Sequence, residues 1–312
     1  MDEREKLARI RLIQTRHIGP MTFSLLIQRY GSALAALAAI PDLAARGGRK
    51  LSIASLADAK AELAANDDAG ARLIWRDSDS YPLRLAQFDD APVTLSTRGN
   101  LHLLHKPMIA LVGARNASIN AIRHAETLAR ELGEAGYVIV SGMARGIDAA
   151  AHRGAMATDT VGVIAGGIDI IYPPENRALF QQIVDEGLLL AEMRPGTAPT
   201  PRNFPTRKRI IASLAQNAAD IIEAVGQNRT VEVPPKKTIW VEMPQTTFSD
   251  EDILKCREII ISGLGDEPVD VDDLIAWCDQ PSAVVWAAIL ELELAGQLTR
   301  QYGNRVSRQF EF

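Results

Sequence analysis

Apolar residues recur at helical spacing near the start of the chain, in Leu7, Ile10, Leu12 and Ile13 and again through Leu25, Leu26 and Ile27. Residues 1–75 therefore read as a helical domain. His17-Ile18-Gly19-Pro20 interrupts the pattern where a tight turn is needed. Helix, Gly-containing hairpin and helix is a helix-hairpin-helix pattern. Such a hairpin is either purely structural or holds a phosphate on the amides of a helix N-terminus. Residues 76–106 form a connector with strand character in Tyr81-Pro82 and Ala91-Pro92-Val93-Thr94-Leu95, with a turn at Gly99-Asn100. From Pro107 the texture changes. Met108-Ile109-Ala110-Leu111-Val112 is a continuous apolar run, as expected of a strand buried on both faces. Helical stretches at about 120–135, from Asp148, and at about 174–186 then alternate with the apolar runs at 137–140, 160–165 and 188–190. Short loops between alternating strands and helices predict right-handed βαβ units and a parallel sheet with helices on both faces.

After Asn228 the pattern changes again. Val233-Pro234-Pro235-Lys236-Lys237 marks a linker, 229–248, in which Thr238 to Met243 is read either as a strand or as disordered. Residues 249–312 read as three helices and a hairpin, a winged-helix pattern. Ser249-Asp250-Glu251 is an N-cap with acidic first-turn residues. Asp272 to Cys278 is the second helix and Ser282 to Ala295 the third. Leu298-Thr299-Arg300 and Arg305-Val306-Ser307 flank a turn at Tyr302-Gly303-Asn304. The domain reading is thus 1–75 helical, 76–228 α/β, 229–248 linker and 249–312 winged helix.

Composition adds limits. Nearly half of the 312 residues are apolar, enough for a sizeable core. Cys256 and Cys278 lie apart in the sequence, make no metal cluster or disulfide framework, and read as small buried hydrophobes in a reducing compartment. The N-terminus lacks a signal-peptide apolar region, and no stretch reaches the roughly 18 apolar residues of a membrane span. A cytoplasmic location away from membranes is the expectation. A net charge of −5 argues against non-specific coating of duplex DNA and leaves room for a local basic groove.

The candidate chemistry gathers at the carboxyl ends of the parallel strands, where ligands of open sheets bind. Strand one ends in Gly113-Ala114-Arg115, an open backbone followed by a guanidinium fork suited to phosphate. Strand two ends in Ser141-Gly142-Met143-Ala144-Arg145-Gly146-Ile147-Asp148. There Ser141 and the amides near Gly142 and Gly146 are expected to cradle a phosphate, with Asp148 capping the next helix or fixing Arg145. Gly166 and Gly167 open the end of strand three. Between Met193 and Arg209 lie Arg194, Arg202, Arg207, Lys208 and Arg209 with no acidic residue, and Asn203 and Phe204 among them. Cations that follow a backbone and a ring that stacks on a base suit single-stranded nucleic acid. No catalytic constellation, metal ligand set or cofactor is expected. His152 reads as a structural histidine, and Walker A, Gly-x-Ser-x-Gly and Gly-x-Gly-x-x-Gly patterns are lacking.

Together, Val112-Gly113-Ala114-Arg115, the run from Ser141 to His152, Tyr172-Pro173-Pro174-Glu175-Asn176, and Asn203-Phe204-Pro205 with Arg207-Lys208-Arg209-Ile210-Ile211 resemble the DprA/Smf family of DNA-processing proteins over residues 80–215. The resemblance implies a Rossmann-like domain between a helix-hairpin-helix (SAM-like) domain and a winged helix. It implies sequence-independent binding of single-stranded DNA, protection of incoming strands in natural transformation, loading of the RecA recombinase, a homodimer and no enzymatic activity. Ala114 stands where the family has serine. The family's Gly-Ser-Leu element after the basic segment is missing. Ala219 to Val225 is either the next strand in altered form or the helix that precedes the linker. On the second alignment roughly two β-α units are deleted, which places the far wall of the groove and the dimer surface in question and leaves a degenerate copy open. A competing reading is a nucleoside-monophosphate phosphoribohydrolase, whose Pro-Gly-Gly-x-Gly-Thr loop Ala165-Gly166-Gly167 only faintly resembles. A third makes the winged helix a duplex reader. Glu291 and Glu293 on its third helix argue against that and for a protein-contact or regulatory role.

Overall fold

The computed structural model describes residues 1–46, 52–215, 249–265, 267–301 and 304–308. The expected linker, the Thr238–Met243 segment and the Ala219–Val225 element lie outside the described residues, as do Tyr302 and Gly303 of the turn. The described chain falls into two compact units. One joins the chain up to Ala59 with the elements from Ser249 onward; the other runs from Lys60 through the basic segment.

In the first unit α1 (Glu3–Gln14), α2 (Pro20–Tyr30) and α3 (Ala33–Arg46) form the helical part. Asp2 caps α1 by accepting from the Glu5 amide, and Pro20 opens α2, where its missing N–H costs nothing. The expected helical domain ends before residue 75. α4 (Leu56–Asp68) leads into β1 (Arg72–Trp75), and β1 is a strand of the large sheet.

That sheet carries the second unit. Its strands are β1, β2 (Thr94–Gly99), β3 (Met108–Ala110), β4 (Val138–Gly142), β5 (Thr160–Gly167) and β6 (Leu188–Met193), in spatial order β1-β2-β6-β5-β4-β3. Strands β3 to β6 pair in parallel, whereas β2 runs antiparallel to β6 and β1 antiparallel to β2. The parallel sheet expected from the apolar runs is therefore extended by an antiparallel pair. Connecting helices are α5 (Leu83–Ala86), α6 (Ile119–Glu134), α7 (Ile147–Ala155), α8 (Arg177–Glu186) and α9 (Asn203–Leu214). Tyr81-Pro82 leads into the short α5 rather than a strand.

Alternation along the strands divides the core between two faces. Val138, Val140, Val161, Val163, Leu188 and Leu190 pack with Ile210, Ile211 and Leu214 of α9 and Leu85 of α5. Ile109 and Ile139 pack on the small residues Ala129, Ala151 and Ala155 of α6 and α7. Ile164 and Leu189 meet Phe180 and Ile183 of α8. Both faces of the central strands are covered, which is why they read as unbroken apolar runs.

The C-terminal elements of the first unit are α10 (Asp250–Gly263), β7 (Val269–Asp270), α11 (Val271–Cys278), α12 (Ser282–Leu294), β8 (Leu298–Gln301) and β9 (Arg305–Arg308), with β7, β9 and β8 in one small sheet. Ser249 and Asp252 form a capping box on α10. Cys256 and Cys278 are free and buried, and the fold brings them into contact. Burial first, and Cys278 beside it, push the Cys256 thiol up to about 12. α12 corrects one expectation. Glu291 and Glu293 do not face solvent where they would repel phosphates; they are 2% and 5% exposed. Arg300 Nε donates to Glu293 at 2.8 Å, Thr22 Oγ1 of α2 donates to it at 3.3 Å, and Arg257 and Arg29 pair with Glu291 at 3.4 and 3.8 Å. α12 is buried from Ala283 through most of its length, so it has little face left to enter a DNA groove.

Candidate nucleic-acid interface

The rim at the carboxyl ends of β3, β4 and β5 is assembled around one carboxylate. Asp148, in the first turn of α7, is 3% exposed. It accepts from the Ala144 amide at 3.3 Å and from the Gly113 amide, and Arg207 Nη2 of α9 lies 3.7 Å from it. Burial raises the Asp148 pKa, opposed by the Arg207 charge and the two amides; burial lowers that of Arg207, opposed by Asp148. Gly142 is required here, because a Cβ would collide with the Asp148 carboxylate and the Arg207 guanidinium. Gly146 has φ +76° and lies against the Ala114 carbonyl, which accepts from the Ile147 amide at 3.2 Å. The loop after β3 is thereby docked onto the start of α7. Asp148 therefore supports Arg207, whereas Arg145 reaches Glu175 at 3.5 Å.

This arrangement sorts the expected contact residues. Ser141 is fully buried and its hydroxyl donates to the Leu111 carbonyl. Gly166 and Gly167 are covered by the 194–199 loop, the Gly167 amide donating to Thr197 O at 2.9 Å. Asn203 Nδ2 donates to Ala165 O at 3.0 Å and ties the start of α9 to β5. The basic segment finds acids from elsewhere in the chain. Arg194 pairs with Glu62, Arg207 with Asp148, and Arg209 with Glu192 and Asp90. Burial pushes Glu192 up to about 7 despite the Arg209 bond at 2.6 Å, and among the described residues its Oε2 has no hydrogen-bond partner. Among the described residues Arg202 and Lys208 are exposed and have no acidic partner. Gly113, Ala114, Arg115 and Arg145 are also exposed.

Phe204 brings part of this set together. The Arg115 guanidinium lies 4.7 Å from its ring centre and that of Arg207 5.4 Å, within cation–π range. Tyr172, which does not figure among the expected contacts, stands 6.4 Å away centre to centre. Its signal in the sequence is an aromatic on the loop after strand three. His152 is fully buried. Its Nε2 meets Gly142 O at 2.9 Å, its Nδ1 meets the Thr160 hydroxyl at 2.7 Å, and burial lowers its pKa to about 4. A cavity of about 330 Å³ lined by Arg72, Thr97, Asn100 and His102 lies elsewhere, where Gly99 of β2 pairs with Leu188 at the amino end of β6.

Residues 72–231 match the family described as DNA recombination-mediator protein A. The chain belongs to this family, DprA/Smf. Residues 3–65 match its N-terminal helix-hairpin-helix domain and 244–304 its winged-helix domain. The DNA processing protein DprA of Streptococcus pneumoniae is 43% identical over 140 residues, 44% of this chain and 49% of that protein. Protein Smf of Escherichia coli is 26% identical over 287 residues, 75% of this chain and 76% of that one. The X-ray structure of the Streptococcus pneumoniae DprA is similar with a TM-score of 0.52 and 33% identity, over 68% of this chain and 74% of that chain. The chain spans about half the length of several curated DprA/Smf relatives it matches.

Proposed function

We propose that this protein binds single-stranded DNA without sequence preference along the carboxyl rim of the sheet. Arg115, Arg145, Arg202 and Lys208 follow the phosphates, and the exposed surface of the Gly113 and Ala114 loop lets the strand pass close beside Arg115. The observation that carries this reading is the exposed Arg115 guanidinium held over the Phe204 ring at 4.7 Å, a cation and an aromatic at one point of the rim. The names of the relatives, DNA processing protein among them, support it. Protection of incoming strands, loading of RecA, a homodimer, a cytoplasmic location and the lack of a catalytic step come from the family resemblance and belong to the same proposal. Among the described residues no single helix is long and apolar enough to cross a membrane.

The nucleotide-hydrolase alternative fares worse on one observation. In a nucleotide site the amides at the strand-to-helix turn face a phosphate. Here Asp148 takes the Gly113 and Ala144 amides for itself. A polyanion lying across the surface does not need those amides, whereas a single bound phosphate does.

The test is a gel-shift titration of the full chain with poly-dT at increasing salt. Binding should weaken steeply with salt, and Arg115→Glu should remove most of it. Unchanged binding by Arg115→Glu refutes the proposal. Sedimentation of the free protein and RecA filament assembly on coated strands test the dimer and the handover.

A further inference from the structure

Phe204 is the aromatic that the basic segment offers to a base, yet its ring already carries the guanidinium groups of Arg115 and Arg207 and is only partly exposed. The neighbouring Tyr172 is different. It is 48% exposed, so its ring is open to solvent at the rim. Among the described residues its hydroxyl has no hydrogen-bond partner, and its ring tilts 49° to that of Phe204.

The segment bearing Tyr172 is pinned. The side-chain amide of buried Asn176 donates to Met143 O at 3.0 Å and to Ala144 O at 3.2 Å, and Glu175 meets Arg145. These bonds fasten residues 172–176 to the β4–α7 turn that also holds Asp148. A ring on a fixed loop, open to solvent beside guanidinium groups, loses little conformational freedom when a planar ligand stacks on it.

We propose that Tyr172 stacks on a base of the bound strand, so that the rim holds a base through Tyr172 while Arg115 and Lys208 hold the phosphates. The inference rests on the single-strand reading above and names a contact that reading does not need. Stacking is sequence-tolerant because every base has a π-face.

The test is a fluorescence-anisotropy titration of the full chain with a dT strand and with an abasic strand of equal length. Tyr172→Ala should weaken dT binding roughly 5- to 150-fold, the range for loss of one stacked base. Its binding to the abasic strand, its salt slope and its melting temperature should match the wild type. Tyr172→Phe should bind dT as the wild type does, because the ring and not the hydroxyl makes the contact. Wild-type dT affinity in Tyr172→Ala, or an equal loss on both strands, overturns the inference while the single-strand reading stands. A wild-type protein that binds neither strand overturns that reading and this inference with it.

Discussion

Arg207 and Lys208 are adjacent in sequence, and the structure gives them opposite environments, one buried beside Asp148 and the other exposed. The perturbation is Arg207→Met against Lys208→Met. Arg207 is 8% exposed, and it is the cation paired with the 3%-exposed Asp148. Removing one partner of a buried pair typically costs about 3–5 kcal/mol, because the remaining charge stays desolvated. Asp148 keeps the Gly113 and Ala144 amides, so the lower end of that range applies. At about 2–4 °C per kcal/mol for a unit of this size, Arg207→Met should melt on the order of 10 °C below the wild type. Adding Asp148→Asn should recover part of the loss, since the stranded charge is then gone. Lys208→Met should melt as the wild type does. Its poly-dT binding should weaken, with a log–log salt slope shallower by about 0.7 if it holds one phosphate. Scanning calorimetry and anisotropy titrations on the same samples read both quantities. An Arg207→Met protein with the wild-type melting temperature and lost DNA binding would refute the argument, for Arg207 would then be a DNA contact and Asp148 would not depend on it.

One buried and one half-buried group should give opposite pH slopes. His152 has its folded pKa lowered from 6.5 to about 4, so the unfolded chain takes up a proton the folded chain refuses. Stability from this group is present above pH 6.5 and is lost as pH falls towards 4, on the order of 3 kcal/mol in all. Urea denaturation from pH 7 to 4.5 should show His152→Gln without this loss; an unchanged slope counts against it. Glu192 has its folded pKa raised from 4.5 to about 7, so its contribution is present below 4.5 and lost as pH rises through 7. Glu192→Gln keeps an acceptor for Arg209 and removes that loss, and should be at least as stable as the wild type at pH 8. A variant clearly less stable at pH 8 means the Arg209 ion pair outweighs the burial of the carboxylate.

The fold was legible where one interaction decided the pattern. The runs Val138-Ile139-Val140 and Val161-Gly162-Val163-Ile164 read as central strands because helices cover both faces, and the helices that flank them in the chain fell within a few residues of their expected bounds. β1 escaped because Arg72-Leu73-Ile74-Trp75 follows a helix directly, and four residues are too few to establish a period of two. The union of N-terminal helices and C-terminal elements escaped for a different reason. It depends on contacts such as Thr22 with Glu293, which no local pattern encodes.

The candidate site shows the same division at the level of single side chains. Residue types were legible: glycines, arginines and an aromatic do gather at the carboxyl rim. Their employment was not, because each acid that neutralises the basic segment comes from another element. Glu62, Asp90, Asp148 and Glu192 all lie outside the 193–209 stretch. A stretch that looks like a cationic stripe in one dimension is, in three, largely the means by which α9 and the segment before it are fastened to α4, α7, β6 and the Asp90 loop. Among the described residues, the rim cations left without an acidic partner are Arg115, Arg202 and Lys208, from two loops and one helix turn. With a net charge of −5 over the whole chain, so few unpaired cations supply a modest pull on a polyanion. Useful affinity for a single strand then has to draw on contacts that salt does not screen. That requirement favours a ring at the rim that is still open to solvent, which is the position of the proposed stacking residue Tyr172, since the Phe204 ring already carries Arg115 and Arg207.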